Sequence, residues 1–451
     1  MPRPALRFAI LLLVPGALAA QQRADLGAVT DRIFADWNST RTPGCAVGVS
    51  KDGEVLLTRG FGMANLESGT PITPATIFES GSVAKQFTAA ATLLLAADGK
   101  LDLDDPVRKY VPELPEYERP LLVRHLLSHT SGLREWSNLV AVAGWPRGSR
   151  VHTQADLLEV VVAQRALNYP VGDHYSYTNS GYALLVTIIE RVSGMPFTRF
   201  TAERIFAPLG MRSTGWRDDF TTVVPGRAQA YGRAGGAWRL NMPFENVVGP
   251  GGMLTTVGDW LLWNEALDRK TLGGRVVDSL ERRAVLTNGR RIDYAMGLVV
   301  SEFRGTREVA HSGSTGGYST YLTRFPDHRL SIAVLCNAAG AGATGFARQI
   351  AEALIPDLGA PMRPDTVATD PAVVSRFAGI YRSMRTHQPL FLGVAPAGPG
   401  GRGGPATAQG GRGGSGGLRA LRDGTYLLGN TRMLFDLAPD GSPRGLRTLQ
   451  A

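Results

Sequence analysis

Phe78-Glu79-Ser80-Gly81-Ser82-Val83-Ala84-Lys85 contains the chain's only Ser-x-x-Lys. Lysine is scarce here: the five are Lys51, Lys85, Lys100, Lys109 and Lys270, and the other basic residues are arginine. A helix turns once in about 3.6 residues, so a Ser and a Lys three apart share a face. A serine hydroxyl becomes a useful nucleophile only when a base takes its proton, and a buried lysine amine can do that. One helical turn therefore supplies a nucleophile and its base. By itself such a pair arises often enough by chance to decide nothing.

The 451 residues are 43% hydrophobic and 19% charged, a composition able to bury a sizeable core as one very large or two ordinary domains. The net charge of +9 comes from scattered arginines, so we expect no nucleic-acid partner. Arg3 and Arg7 precede the apolar run Phe8–Val14, and Ala17-Leu18-Ala19-Ala20 follows. Those are the parts of a cleavable signal peptide over residues 1–20, which predicts a periplasmic or secreted protein with no membrane anchor after cleavage. Cys45 and Cys336 lie in strand-like runs. They can pair in an oxidising compartment or remain two buried thiols, and the sequence leaves both open.

Residues 26–40 read as an amphipathic helix. Gly44–Ser50 and Glu54–Gly60 read as a hairpin around Lys51-Asp52-Gly53, and Ser82–Ala97 as a helix closed by Asp98-Gly99. From about 100 to 250 the pattern is helices joined by Pro/Gly loops. Strands return at Arg307–Ala310, Tyr318–Phe325 and Arg329–Cys336, followed by a helix over Ala343–Leu354. The simplest assembly is one sheet built from both ends of this region and flanked by the terminal helices, with a helical segment inserted. Residues 21–355 form that domain, 356–371 a linker, and 372–451 a small β-rich domain. Its Gly-rich stretch 396–417 reads as a flexible loop. That stretch contains a G-x-S-x-G (Gly413–Gly417) and a G-x-G-x-x-G (Gly398–Gly403), but neither has the strand before and helix after that its chemistry needs.

Two further segments can complete a site around Ser82. Tyr175-Ser176-Tyr177-Thr178-Asn179 follows a turn, and on an extended loop Tyr177 and Asn179 point the same way. His311-Ser312-Gly313-Ser314 ends a strand-like run and precedes glycines that permit close backbone approach. A strand edge there can aim the Ser314 N–H at an oxyanion, alongside the Ser82 N–H.

In this order the three segments resemble the serine β-lactamase and penicillin-binding-protein superfamily, in its class C-like branch. The flanks fit too: Gly99–Pro106, His125-Leu126-Leu127-Ser128-His129-Thr130-Ser131-Gly132-Leu133, Pro208–Met211 and Gly251-Gly252-Met253. The resemblance implies an α/β (α+β) fold with an antiparallel sheet, no cofactor and no metal. It implies Ser82 as acylated nucleophile, Lys85 as its base, Tyr177 as partner base and later acid, and Asn179 orienting Lys85 and substrate. Ser82 and Ser314 would supply the oxyanion donors, with His311 and Gly313 lining the substrate site. The chain departs from the β-lactamase pattern at His311, where those enzymes carry the Lys of Lys-Thr-Gly. Histidine is mostly neutral near pH 7, so a substrate carboxylate should bind less well.

The expectation is an exported serine hydrolase acting on short peptides or peptidoglycan fragments, of D-aminopeptidase or D,D-carboxypeptidase type. Alternatives are a β-lactamase or carboxylesterase, or an inactive relative that binds cell-wall peptides. The sequence does not set the oligomeric state. His125 and His129 at His-x-x-x-His spacing would put two imidazoles on one helix face and invite a zinc reading, but Leu126 stands where a zincin needs glutamate.

Overall fold

The computed structural model describes residues 25–360, 367, 376–377, 379–382, 389–393, 407–409, 418–428, 431–440 and 442–449. The stretch 1–20, expected to be a signal peptide, lies outside them. The chain divides into two compact units, Met1–Gly359 and Ala360–Ala451.

The first unit is organised by a six-stranded antiparallel sheet. β1 (Cys45–Lys51) and β2 (Glu54–Phe61) come from its beginning. β3 (Val299–Phe303), β4 (Thr306–Thr315), β5 (Tyr318–Phe325) and β6 (Leu330–Cys336) come from its end. The order is β3-β4-β5-β6-β1-β2, so the two halves of the chain join where β1 pairs with β6. Side chains alternate across the pleat. Val47, Val49, Tyr321, Phe325, Ile332 and Val334 pack on one face with Phe34, Ala347 and Ile350. Phe34 directly follows the terminal helix α1 (residues 25–33), and Ala347 and Ile350 belong to the terminal helix α6 (Ala343–Leu354). Ala46, Tyr318, Leu322, Ala333 and Leu335 face the other core with Phe87, Trp260 and Trp263. A sheet buried on both faces favours continuous apolar runs, which is why β1 and β6 are so plain in the sequence.

Between the halves lie α2 (Lys85–Ala97), α3 (Val123–Leu127), α4 (Asn179–Ser193) and α5 (Val257–Asp268). Phe87 of α2 sits 4.3 Å, ring centre to ring centre, from Trp263 of α5. Such an aromatic pair adds about 0.5–1.5 kcal/mol beyond the area it buries. The inserted region is not wholly helical, since Tyr231–Ala234 and Ala237–Leu240 form a hairpin.

Several expectations are corrected, and the open question of Cys45 and Cys336 is decided. The His311–Ser314 segment does not terminate a strand; it is the second half of β4, which runs on to Thr315 and pairs with β5 as far as Tyr318. β3 had no signal in the alternation, because Val299 and Val300 are followed by the polar Ser301-Glu302. Asn179 is not on an extended loop with Tyr177 but is the first residue of α4. His129 does not share a helix face with His125: α3 ends at Leu127, and His129 adopts φ +58°. Cys45 and Cys336 stand opposite one another in the β1–β6 register and form a disulfide.

The second unit holds two antiparallel sheets. One comprises Gly379–Arg382, Pro389–Gly393 and Thr407–Gln409; the other Arg419–Ala420, Tyr426–Leu428, Thr431–Leu437 and Pro443–Leu449. Its core is Phe377, Leu392, Leu418, Met433 and Phe435, with the Phe377 and Phe435 rings stacked at 4.0 Å. Thr407–Gln409 lies inside the Gly-rich stretch expected to be a loop, and pairs with Phe391–Gly393. Ala406–Gln409 is the longest run there without Gly or Pro, so it is where a strand can form. The rest of 396–417 lies outside the described residues.

Candidate active site

Phe78–Glu79 pairs with Thr255 and Leu254, and the Ser80 N–H donates to the Met253 carbonyl at 2.8 Å. The chain then enters α2 through a 3₁₀ turn, Gly81–Ala84, that carries Ser82. Side chains three apart nearly eclipse in a 3₁₀ turn, and Lys85 Nζ lies 3.2 Å from Ser82 Oγ. Both residues are buried. Lys85 Nζ also donates to Asn179 Oδ1 at 2.8 Å and to the Pro250 carbonyl at 2.7 Å. An ammonium has three hydrogens, and these are three neutral acceptors. As a neutral amine the same group presents a lone pair to the Ser82 hydroxyl.

The turn is pressed against β4 at backbone distance. Gly81 has φ +53°, and a Cβ there would come within 2.5 Å of the Ser314 nitrogen. A Cβ on Gly313 would lie 2.0 Å from the Ser80 oxygen. Thr320 of β5 ties the same carbonyl down, donating to Ser80 O at 2.7 Å. Two glycines thus let the Ser314 N–H and the Ser82 turn meet without side chains between them.

Asn179 is oriented by Glu135, which sequence reasoning missed. One carboxylate oxygen accepts the Asn179 N–H (2.6 Å) and the Thr178 hydroxyl (3.0 Å), and the other accepts Asn179 Nδ2 (2.8 Å). A carboxylate only accepts, so the Asn179 NH₂ must face Glu135 and its oxygen must face Lys85. The anion also sits at the positive end of the 15-residue α4. Only its nearness to the Ser131-Gly132-Leu133 flank pointed to it. The Pro250 carbonyl was missed likewise, although Gly249-Pro250-Gly251-Gly252 is an evident turn.

Tyr177 turns its ring to Lys85, with Nζ 4.8 Å from the ring centre. His129 packs on Tyr177 at 4.2 Å, and its Nδ1 accepts the Thr178 N–H at 3.3 Å. The His129 ring therefore braces the Tyr177–Asn179 segment. On β4, His311 lies 6.1 Å from Tyr177, ring to ring, and is hydrogen-bonded to Tyr294. The structure thus gathers Ser82, Lys85, Tyr177, Asn179, His311, Gly313 and Ser314 at one place, where β4 meets the start of α2. Beneath Ser82 lies a buried ion cluster. Arg217 makes two hydrogen bonds to Glu79, at 2.9 and 3.0 Å, and Arg227 a third at 3.1 Å. Among the described residues, no group of three or more His, Cys, Asp or Glu is placed to hold a metal ion.

Residues 29–357 match the family model described as Beta-lactamase. The chain belongs to the Beta-lactamase family. It falls in that family's class C-like, penicillin-binding-protein-related branch. It is 29% identical to a D-aminopeptidase of Gluconobacter oxydans over 79% of this chain and 66% of that protein. It is also 29% identical to penicillin-binding protein 4* of Bacillus subtilis, over 74% and 78%. A D-aminopeptidase of Brucella anthropi is 32% identical over 66% of this chain, which spans 56% of it. The chain thus covers less than two thirds of these D-aminopeptidases. The fold is that of the octameric penicillin-binding protein homologue from Pyrococcus abyssi, with TM-score 0.68 at 24% identity over 92% of this chain and 94% of the other. Over 73% of this chain and 98% of the other it also matches the D-amino acid amidase of Ochrobactrum anthropi, with TM-score 0.62 at 23% identity.

Proposed function

We propose that this family member is an exported peptidase that cleaves amide or ester bonds of short peptides or peptidoglycan fragments through an acyl-enzyme on Ser82. The observation that carries the reading is Lys85 Nζ, buried and held between Ser82 Oγ at 3.2 Å and Asn179 Oδ1 at 2.8 Å. Neutral Lys85 takes the Ser82 proton as Oγ attacks the substrate carbonyl. The carbonyl oxygen becomes an oxyanion between the Ser82 and Ser314 N–H groups. Collapse breaks the bond to the leaving group, which receives the proton from Lys85 with Tyr177 as partner. Water then attacks the Ser82 ester as neutral Lys85, with Tyr177 as its partner, takes the water proton, and Lys85 returns it to Oγ, which leaves as the Ser82 hydroxyl. The D-aminopeptidase relatives support a D-residue substrate.

The test is intact-protein mass spectrometry after exposure to a fluorophosphonate and, separately, to a penicillin, together with release of D-amino acids from short peptides and peptide amides. A Ser82 adduct with the fluorophosphonate, absent in Ser82→Ala, is expected. No adduct from folded protein with either reagent would favour a binding role. Rapid penicillin turnover would instead make it a β-lactamase.

A further inference from the structure

A neutral lysine amine has two hydrogens and one lone pair. Around Lys85 Nζ, Asn179 Oδ1 at 2.8 Å and the Pro250 carbonyl at 2.7 Å can only accept, whereas the Ser82 hydroxyl at 3.2 Å can donate. The two acceptors take the two hydrogens, and the lone pair is left for Ser82. With either acceptor displaced, a hydrogen can turn toward Ser82 Oγ, and the amine becomes a donor there instead of a base. Glu135 holds the first acceptor. The second is a backbone carbonyl in a loop, so its direction depends on what fixes that loop.

Thr88 lies one helical turn beyond Lys85 on α2 and is fully buried. A threonine inside a helix often returns its hydroxyl to the carbonyl four residues back, as Thr92 does to Thr88 O at 3.0 Å. Thr88 instead sends its hydrogen out of the helix, to the Gly249 carbonyl at 2.9 Å. That oxygen belongs to the Gly249–Pro250 peptide, whose plane is rigid. The Pro250 ring then locks the next torsion, φ, at about −65°. Once Thr88 fixes the peptide plane, only ψ of Pro250 is left to turn the carbonyl that meets Lys85. Gly249 itself has φ +96°, and an added Cβ would lie 2.2 Å from Val186 of α4. The loop is therefore wedged between the helices that carry Lys85 and Asn179.

We propose that Thr88 is a positioning residue: through the Gly249–Pro250 peptide it aims the Pro250 carbonyl at Lys85, and so keeps the Lys85 lone pair on Ser82 for acylation. The proposal rests on the acyl-enzyme reading above. It makes Ser82, Lys85 and Thr88, three apart in sequence, one functional stripe.

Thr88→Val keeps the shape of the side chain and removes the hydroxyl. The rate of Ser82 modification by a fluorophosphonate, followed by intact-protein mass spectrometry, should fall by about ten- to a hundredfold, the scale of a misaimed catalytic group. The kcat on a D-residue amide, per Ser82 site titrated with the same reagent, should fall alike. KM should change little, because Thr88 is buried below the site. Counting titrated sites takes any loss of folded protein out of the comparison. Thr88→Ser restores a hydroxyl and should recover most of the rate. Pro250→Ala frees φ and should also slow the reaction. Combining it with Thr88→Val should cost little more than the worse single change, since both release the same carbonyl. A wild-type rate in Thr88→Val, no recovery in Thr88→Ser, or losses that multiply in the double variant would each overturn the proposal. If Thr88→Val does not fold, Pro250→Ala decides: a slower rate per site supports the aimed carbonyl, and a wild-type rate overturns it. Absence of any Ser82 adduct in the wild-type protein would sink the acyl-enzyme reading itself. An adduct that forms equally fast in wild-type and Thr88→Val sinks only the role of Thr88.

Discussion

Glu135 receives two hydrogen bonds from Asn179, one from its backbone N–H at 2.6 Å and one from its side-chain Nδ2 at 2.8 Å. The pair starts α4 and fixes which end of the amide meets Lys85. Hydrogen bonds to a charged acceptor contribute about 1.5–3 kcal/mol each. Glu135→Gln presents an NH₂ where an acceptor is needed, so Asn179 can turn its oxygen away from Lys85. We predict a fall of about ten- to a hundredfold in kcat with a smaller change in KM, measured by steady-state kinetics on a D-residue amide. Full activity in Glu135→Gln would show that the carboxylate does not orient Asn179.

Lys85 is predicted to be indispensable for the acylation step. Lys85→Ala should slow Ser82 acylation by several powers of ten, because the amine 3.2 Å from Oγ, placed to take its proton, is gone. It also leaves Asn179 Oδ1 and the Pro250 carbonyl without their donor. Rates of adduct formation by mass spectrometry check this, and a loss under tenfold would remove Lys85 from the chemistry.

Gly313 should tolerate no side chain. The new methyl of Gly313→Ala would sit 2.0 Å from Ser80 O and 2.3 Å from Thr320 Oγ1. β4 must then move off the Ser82 turn, taking Ser314 N–H with it. A rate loss of about 10²–10³ is expected, the scale of one lost oxyanion donor. Gly345 in α6 is the control, since nothing lies within 4 Å of its added Cβ. Gly345→Ala should leave activity unchanged and add about 0.5–1 kcal/mol of stability by urea denaturation.

Acid should weaken the fold partly through His125. Its Nδ1 accepts the Leu122 N–H at 3.1 Å, capping α3, and burial, with a smaller contribution from Arg124, lowers its pKa to about 4. The unfolded chain protonates this ring near 6.5 while the folded chain resists until about 4. Between those values the unfolded state holds more protons, so stability falls as pH falls through that window, by at most about 3 kcal/mol. His125→Gln keeps a cap acceptor and does not titrate. Urea midpoints at pH 4.5 and 7 should differ less in His125→Gln than in the wild-type protein. An equal difference would assign the acid sensitivity to other groups.

The Glu79 cluster offers a stability test beside the nucleophile. Glu79 and Arg217 are each about 1% exposed at the side chain. Glu79→Gln leaves Arg217 and Arg227 buried without their anion, which costs about 3–5 kcal/mol. Chemical denaturation checks the figure, and a cost below 1 kcal/mol would mean that water or rearranged partners replace the carboxylate.

Much of this site can be read from local sequence because its parts are local. A Ser and a Lys three apart meet through one turn of helix wherever that turn forms, and Val47, Val49, Ile332 and Val334 declare buried strands by composition alone. The boundaries at the site are harder to read. Asn179 begins a helix because Thr178 caps it and Glu135 charges its end, and Glu135 is 44 residues away in sequence. The His311–Ser314 strand continues because β5 pairs with it, although its own polar residues carry no strand signal.

The sequence by itself determined the family, the sheet assembled from both ends of the first unit, and the order of three motifs, since each depends on spacing or on the apolar period. Only the tertiary structure decided that Cys45 faces Cys336, that Glu135 sets the Asn179 amide, that the Pro250 carbonyl completes the Lys85 shell, and that Tyr294 meets His311. These are contacts between segments with no shared period. They exist because strand register and close backbone packing bring distant residues within hydrogen-bonding range, and neither is written in any one stretch of the chain.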